Sequence, residues 1–248
     1  MDGGESLKSL DVIQHTSADY LGLMEDHFEG RRIRFRYTRP FTEKGRVPAP
    51  ADALDGLVLL GGGPWGAAGG RDLPSLREEV ELTRAFLDLG RPVIGIELGA
   101  QILCLAAGGG SQAAPLTFEV GQARKVVDGA LGGFMPQTMP LTHYMRDWPV
   151  PPAQARTLAV DQCDRPAIFQ VGDNAIGFTG HPGFKPAMAE DLIMEFEECP
   201  DNPVPELEKL RLAVRDIEDA LVPLMTGLVQ VTGLMQVTRR IPIFLENK

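Results

Sequence analysis

The segment Gly95-Ile96-Glu97-Leu98-Gly99-Ala100-Gln101 joins a short apolar run to a helical pattern, with one ionisable residue at the junction. Gly95 and Gly99, flanking Ile96-Glu97-Leu98, let the chain turn sharply enough to hold the Glu97 side chain above the end of a strand, in the shape of a nucleophile elbow. The N–H groups of the following helix point to the same spot and favour negative charge there. Glu97 is therefore expected to be an ionised carboxylate of lowered pKa, filling the site and pairing with His181. Gly61-Gly62-Gly63-Pro64 ends another apolar run and offers a backbone N–H that, with that of Leu98, would form an oxyanion hole. Gly180-His181-Pro182-Gly183 follows a late strand and supplies an imidazole.

The elements that must position these groups follow from hydrophobic periodicity. Strands are expected at Asp11 to Gln14, Arg32 to Tyr37, Leu54 to Leu60, Pro92 to Ile96 and Ala175 to Phe178. Helices are expected through Tyr20 to Phe28, Leu73 to Leu89, Ala100 to Ala107 and Pro186 to Glu198. Helices alternating with apolar strands predict an α/β fold, a doubly wound and mostly parallel sheet. Residues 108 to 171 read as an antiparallel excursion at the sheet edge. Beyond Cys199-Pro200 the pattern becomes a charged amphipathic helix, so residues 1–199 are expected to form one domain and 200–248 a helical C-terminal extension.

The chain has 248 residues, with 24 Lys and Arg against 34 Asp and Glu. A net charge of −10 repels phosphate backbones and anionic headgroups, which argues against nucleic acid and membrane surfaces as partners. Cys104, Cys163 and Cys199 are an odd count without CxxC, which argues against disulfides and thiolate zinc and for a cytoplasmic protein. Residues 220–238 carry no charge, but Pro223, Gly227 and Gly233 interrupt them, so they read as a packed or oligomeric surface rather than a membrane span. That apolar surface should fold back on the domain or pair with a second copy, and a homodimer through 205–240 is the expectation.

These motifs resemble the class I glutamine amidotransferase family over most of residues 10 to 198. Asp55-Gly56 through Gly61-Gly62-Gly63-Pro64 matches the family's oxyanion strand and loop. Gly95, Gly99 and Gln101 match its Gly-x-Cys-x-Gly-x-Gln elbow, and Glu119-Val120-Gly121 its Glu-x-Gly element. Thr142-His143-Tyr144 echoes a Ser-His segment, and His181-Pro182 its closing His-Pro-Glu. The resemblance implies the family's flavodoxin-like α/β fold and a site lined by Gly61, Gly62, Gly63, Leu98, Gln101, Thr142, His143 and Tyr144. It also implies two departures: Glu97 stands where the family has its nucleophilic cysteine, and Gly183 where it has the glutamate that orients the histidine. Cys104, deeper in the elbow helix, reads as core.

The implied function is an amidotransferase-like protein without the Cys-His-Glu triad, which binds a small ligand or partner at the former pocket. The alternatives are a repurposed hydrolase or transferase, using Glu97 and His181 on another amide, ester or γ-glutamyl compound, and a non-catalytic subunit of a synthase. No cofactor is implied. A metal on Glu97, His143 and His181 lacks ligand spacing. His181 also reads as a capping or core histidine, Trp65, Trp148 and Tyr144 as pocket walls or edge packing, and His15 and His27 as surface or rim residues. Arg31, Arg32, Arg34, Arg36 and Arg39 read as a solvated face.

Overall fold

In the computed structural model, residues 7–52 and 54–235 are described. The first strand, β1 (Ser9–Ile13), is followed by α1 (Met24–Gly30), β2 (Arg34–Thr38), β3 (Gly56–Leu59), α2 (Leu76–Asp88), β4 (Val93–Ile96) and α3 (Leu98–Ala106). The antiparallel region holds β5 (Gly110–Gln112), β6 (Thr117–Lys125), β7 (Thr138–Met145), β8 (Trp148–Val150), β9 (Arg156–Val160) and β10 (Pro166–Val171). The chain then returns through β11 (Ala175–Phe178), α4 (Pro186–Glu195) and α5 (Pro203–Val231).

The large sheet runs in the order β2-β1-β3-β4-β11-β10-β9-β6-β7. Pairing is parallel from β2 through β11 and antiparallel from there to β7. The chain forms the expected α/β fold. Strands β3, β4 and β11 are buried at every residue, as parallel strands covered on both faces must be. Because β1, β3, β4 and β11 are parallel neighbours, the loops after them open at one end of the sheet, where ligands of open α/β sheets are held.

The first helix begins later than its periodicity predicts. Gly22 takes a φ of +60°, and the Leu23 N–H donates to the Gly183 carbonyl at 2.9 Å. A long-range tie thus holds Tyr20 to Leu23 out of the helix.

On one face of the sheet, α2 and α3 bury Leu82, Phe86, Ile102 and Leu103 against Ile13, Leu57 and Leu59. On the other, Phe28 and the α5 residues Leu221, Leu224, Met225, Leu228 and Val229 join Leu10, Val12, Val58 and Ile94 in one core. The apolar stripe of α5 is thus covered by its own chain, which meets the need that had suggested a dimer. Part of the 205–240 segment, residues 236–240, lies outside the described residues. No helix among the described residues is long and apolar enough to cross a membrane.

At roughly 1.5–3 kcal/mol per buried large side chain, the α5 stripe contributes on the order of 10 kcal/mol, comparable to the whole stability of a domain. A chain ending at residue 202 is therefore expected to lose fixed tertiary packing. Near-ultraviolet circular dichroism and dye binding to exposed apolar surface check this.

Candidate functional site

The elbow forms as its spacing predicts. Glu97 caps α3 with φ +54° and ψ −110°, a backbone conformation that costs a non-glycine residue on the order of 1–3 kcal/mol unless its surroundings hold it. They do: the Glu97 N–H donates to the Phe178 carbonyl at 2.8 Å, and the Gly99 N–H to Leu60 at 3.1 Å. A side chain at Gly95 would strike the Gly99 carbonyl, and one at Gly99 would strike that of Leu59. Both flanking glycines are therefore steric requirements of the turn.

The β6–β7 hairpin clamps this end of the sheet. The His181 N–H donates to the Thr142 carbonyl at 2.7 Å, and two residues along β7 the Tyr144 N–H donates to Glu97 Oε1 at 2.6 Å. The remaining Glu97 oxygen, Oε2, has no hydrogen-bond partner among the described residues, and neither does Asp19 Oδ1. A β-carbon placed on Gly61 would lie 2.2 Å from the first and 2.9 Å from the second. The two carboxyls therefore converge on one point beside the glycine loop.

Burial pushes Glu97 well above its ordinary carboxyl value, Asp19 raises it further, and the single Tyr144 N–H opposes them weakly. This reverses the expected lowering. The reason is geometric: Oε1 meets one backbone donor rather than the several expected, and a second carboxyl stands opposite. Asp19 itself, pushed up by burial and held down by His15, Thr16 and Gly63, comes to about 6.

His181 does not pair with Glu97. Its Nε2 lies 2.8 Å from the Tyr20 carbonyl and its Nδ1 accepts the Gly183 N–H at 3.1 Å. That network assigns the neutral tautomer with the proton on Nε2. Burial pushes its pKa down to about 4. Both ring nitrogens are occupied by backbone, so the imidazole is locked. Gly183 lies close to the backbone of Leu23 and Met24, with 3.2 and 3.1 Å from a notional β-carbon to their nitrogens.

The loop Gly61 to Gly63 is enclosed as well. The Gly63 N–H, a candidate oxyanion donor, donates to Asp19 Oδ2 at 3.0 Å. Gly62 abuts the Leu98 side chain, and Phe196 and Leu192 cover Gly63. Outside them Glu198 accepts from Arg71 at 2.6 Å and from Arg146, whose Nε also donates to the Pro64 carbonyl at 2.9 Å. Glu97, Leu98, Tyr144 and His181 are each at most 1% exposed.

Among the other anticipated residues, Gln101 is buried with its amide spent on the Arg146 carbonyl and the Ser111 hydroxyl. His143 leaves the site: strand alternation turns it away from its neighbours Thr142 and Tyr144. It sits instead against the Trp148 ring, 3.5 Å from Glu119. Burial first, then Arg165, push it down to about 4. Glu97, His143 and His181 therefore do not form a metal-binding group. Trp148 lies under Arg165 and Trp65 under Arg71, so the two indoles pack with separate arginines. Arg32, Arg34, Arg36 and Arg39 are exposed, as a solvated face. Cys104 is core, with burial pushing its thiol up to about 12.

Three residues went unanticipated. Asp19 follows β1 in a Thr16-x-x-Asp19 turn in which the Thr16 hydroxyl and the Asp19 N–H and carboxylate bond reciprocally; a threonine and an acid three apart just past a strand was the available signal. His15, read as a rim residue, is buried, donating from Nδ1 to the Gly61 carbonyl at 2.8 Å and from Nε2 to Glu79 at 2.7 Å. Two acceptors require both ring protons. Burial alone would lower its pKa, but the Glu79 charge and the bonds to Glu79 and Gly61 carry it above the ordinary value. Glu79 sits on α2, where its sequence position resembles any solvated helical glutamate.

The model of the family Glutamine amidotransferase class-I matches residues 31–184. The chain belongs to that family. It is similar to the carbamoyl phosphate synthase small chain of Photobacterium profundum, 42% identical over 62 residues. That match covers 25% of this chain and 16% of the relative, so this amidotransferase-family chain matches about a sixth of that protein's length. Among solved structures, the fold is similar to a glutamine amido transferase from Methylobacillus flagellatus at 23% identity and a TM-score of 0.75, covering 91% of this chain and 96% of the other. It is also similar to a glutamine amidotransferase from Thermotoga maritima at 23% identity and 0.74, covering 92% and 99%. At these identities the likeness is one of fold.

Proposed function

We propose that this family member does not hydrolyse glutamine by a thiol route and works by binding, as a non-catalytic subunit or ligand-responsive domain. The observation that carries the reading is a wholly buried Glu97 carboxyl at the elbow, where the family motif has cysteine. A carboxyl there removes the thiolate nucleophile, and a doubly engaged His181 beside Gly183 has neither a free nitrogen to take a proton nor a carboxylate to orient it. A small ligand at the former pocket must displace Glu97. A synthase is the favoured partner, in line with the small-chain relative, and its association would use the outer surface of the domain.

Purified protein supplied with glutamine is expected to release no ammonia above the uncatalysed background, with or without the Glu97→Ala substitution. Ammonia release by the native chain that Glu97→Ala abolishes would overturn the reading.

A second reading rests on the convergence of Glu97 with Asp19, since paired buried carboxyls can deliver a proton to a leaving group. It predicts turnover of a γ-glutamyl anilide that Glu97→Gln eliminates, and complete inactivity toward such amides and esters counts against it.

A further inference from the structure

Two carboxyl oxygens, Glu97 Oε2 and Asp19 Oδ1, are fully buried, have no donor among the described residues, and face one point beside Gly61. Two anions there would repel one another across a desolvated gap, and each unpaired oxygen would carry the desolvation cost of an unmade hydrogen bond. One proton removes both penalties. We propose that Glu97 holds this proton on Oε2, on the side facing Asp19 Oδ1, and that its loss to solvent drives the Glu97 carboxylate away from Asp19 and off the Tyr144 N–H, unlocking the elbow.

The surrounding groups decide which carboxyl keeps the proton. Asp19 Oδ2 accepts from the Gly63 N–H and the Thr16 hydroxyl, and the His15 imidazolium attracts it from the loop after β1. Glu97 has one N–H, from β7. The ionised member is therefore Asp19. The same asymmetry decides which side chain moves: Asp19 is anchored on three sides, Glu97 on one, from a strained backbone.

The other titratable groups facing the pair do not supply a compensating charge. His181, beyond β11, is neutral with both nitrogens occupied, and the Tyr144 hydroxyl is held neutral, raised first by burial. Glu79 is matched by His15, and Glu195 at the end of α4 adds negative charge to the Asp19 side. The proton thus has no substitute among the described residues of the site. The inference gives regulation to the closed site proposed above and rests on that reading only for its functional meaning.

The sign of the linkage follows. Glu97 is raised on folding, so its contribution to stability is complete below the unfolded carboxyl value and is lost as pH rises through the folded one. His15 is also raised and acts in the same direction above its ordinary value, whereas His181 and His143, lowered to about 4, act oppositely between about 4 and 6.5. The diagnostic comparison is therefore native chain against Glu97→Gln above pH 6.5. The amide keeps a donor toward Asp19 and an acceptor for Tyr144, a proton that cannot leave.

The test is a carboxyl carbon-13 and amide nitrogen-15 titration of the full chain by nuclear magnetic resonance, with melting temperature followed in parallel. Glu97 is expected to titrate well above the usual carboxyl range, the Tyr144 amide signal to move with the same midpoint, and both responses to vanish in Glu97→Gln, whose melting temperature falls less with rising pH. In Asp19→Asn, Glu97 is expected to titrate lower than in the native chain. A Glu97 midpoint in the ordinary carboxyl range, or parallel melting profiles for the native chain and Glu97→Gln, overturns the shared proton. A Tyr144 signal unmoved while Glu97 titrates overturns the unlocking. Ammonia release from glutamine would sink the proposed function without altering any of these titrations, so the two failures are distinguishable.

Discussion

Glu79→Ala is expected to lower the unfolding free energy by about 3–5 kcal/mol, because it leaves one member of a buried ion pair without its counter-charge. Both His15 and Glu79 have fully buried side chains, and the 2.7 Å bond between them is the only one that His15 Nε2 makes among the described contacts. Without Glu79 the imidazolium must either remain charged in a dry site or lose a proton and leave one bond unmade. For a chain of this size the loss corresponds to a fall in melting temperature on the order of 10 °C.

The effect should also reach the site. His15 donates its other proton to the Gly61 carbonyl, so a shifted imidazole frees the glycine loop and withdraws positive charge from Asp19. Glu79→Gln keeps an acceptor at the same distance and is expected to cost distinctly less. Urea denaturation of both variants and of His15→Ala, closed as a double-mutant cycle, checks the assignment. Additive losses would mean that the pair does not interact.

Gly99→Ala is expected to yield no stably folded protein, or a loss beyond about 4–5 kcal/mol, although it adds a single methyl group. The new carbon would lie 2.1 Å from the Leu59 carbonyl oxygen and 2.5 Å from its carbon. Both are backbone atoms of a buried strand, and no rotamer change relieves the overlap. Relief requires α3 to lift from β3, which breaks the Gly99 N–H to Leu60 bond and opens the packing of Leu98, Ile102 and Leu103. Gly30→Ala is the control. Nothing lies within 4 Å of its notional β-carbon, so the same substitution is expected to be neutral or to stabilise by roughly 0.4–1 kcal/mol through the unfolded chain. Equal losses at the two positions, read by thermal unfolding, would contradict the steric argument.

The elbow, the order of strands and helices, the antiparallel region and the apolar stripe of α5 were legible in the sequence. Each is written in local spacing: glycines two residues either side of Glu97, apolar runs of strand length, and leucines at helical intervals. The sequence also placed Glu97, the glycine loop and His181 at strand ends, and parallel neighbours necessarily bring those ends together. Only the tertiary structure decided what the groups do there. Glu97 reads as an ionised helix cap until Asp19, 78 positions earlier in the chain, is brought against it. His181 reads as an available imidazole until the Tyr20 carbonyl accepts its Nε2–H, and His15 as a rim residue until α2 carries Glu79 to it. Protonation depends on desolvation and on charges a few ångströms away in space, and neighbours along the chain do not report those distances.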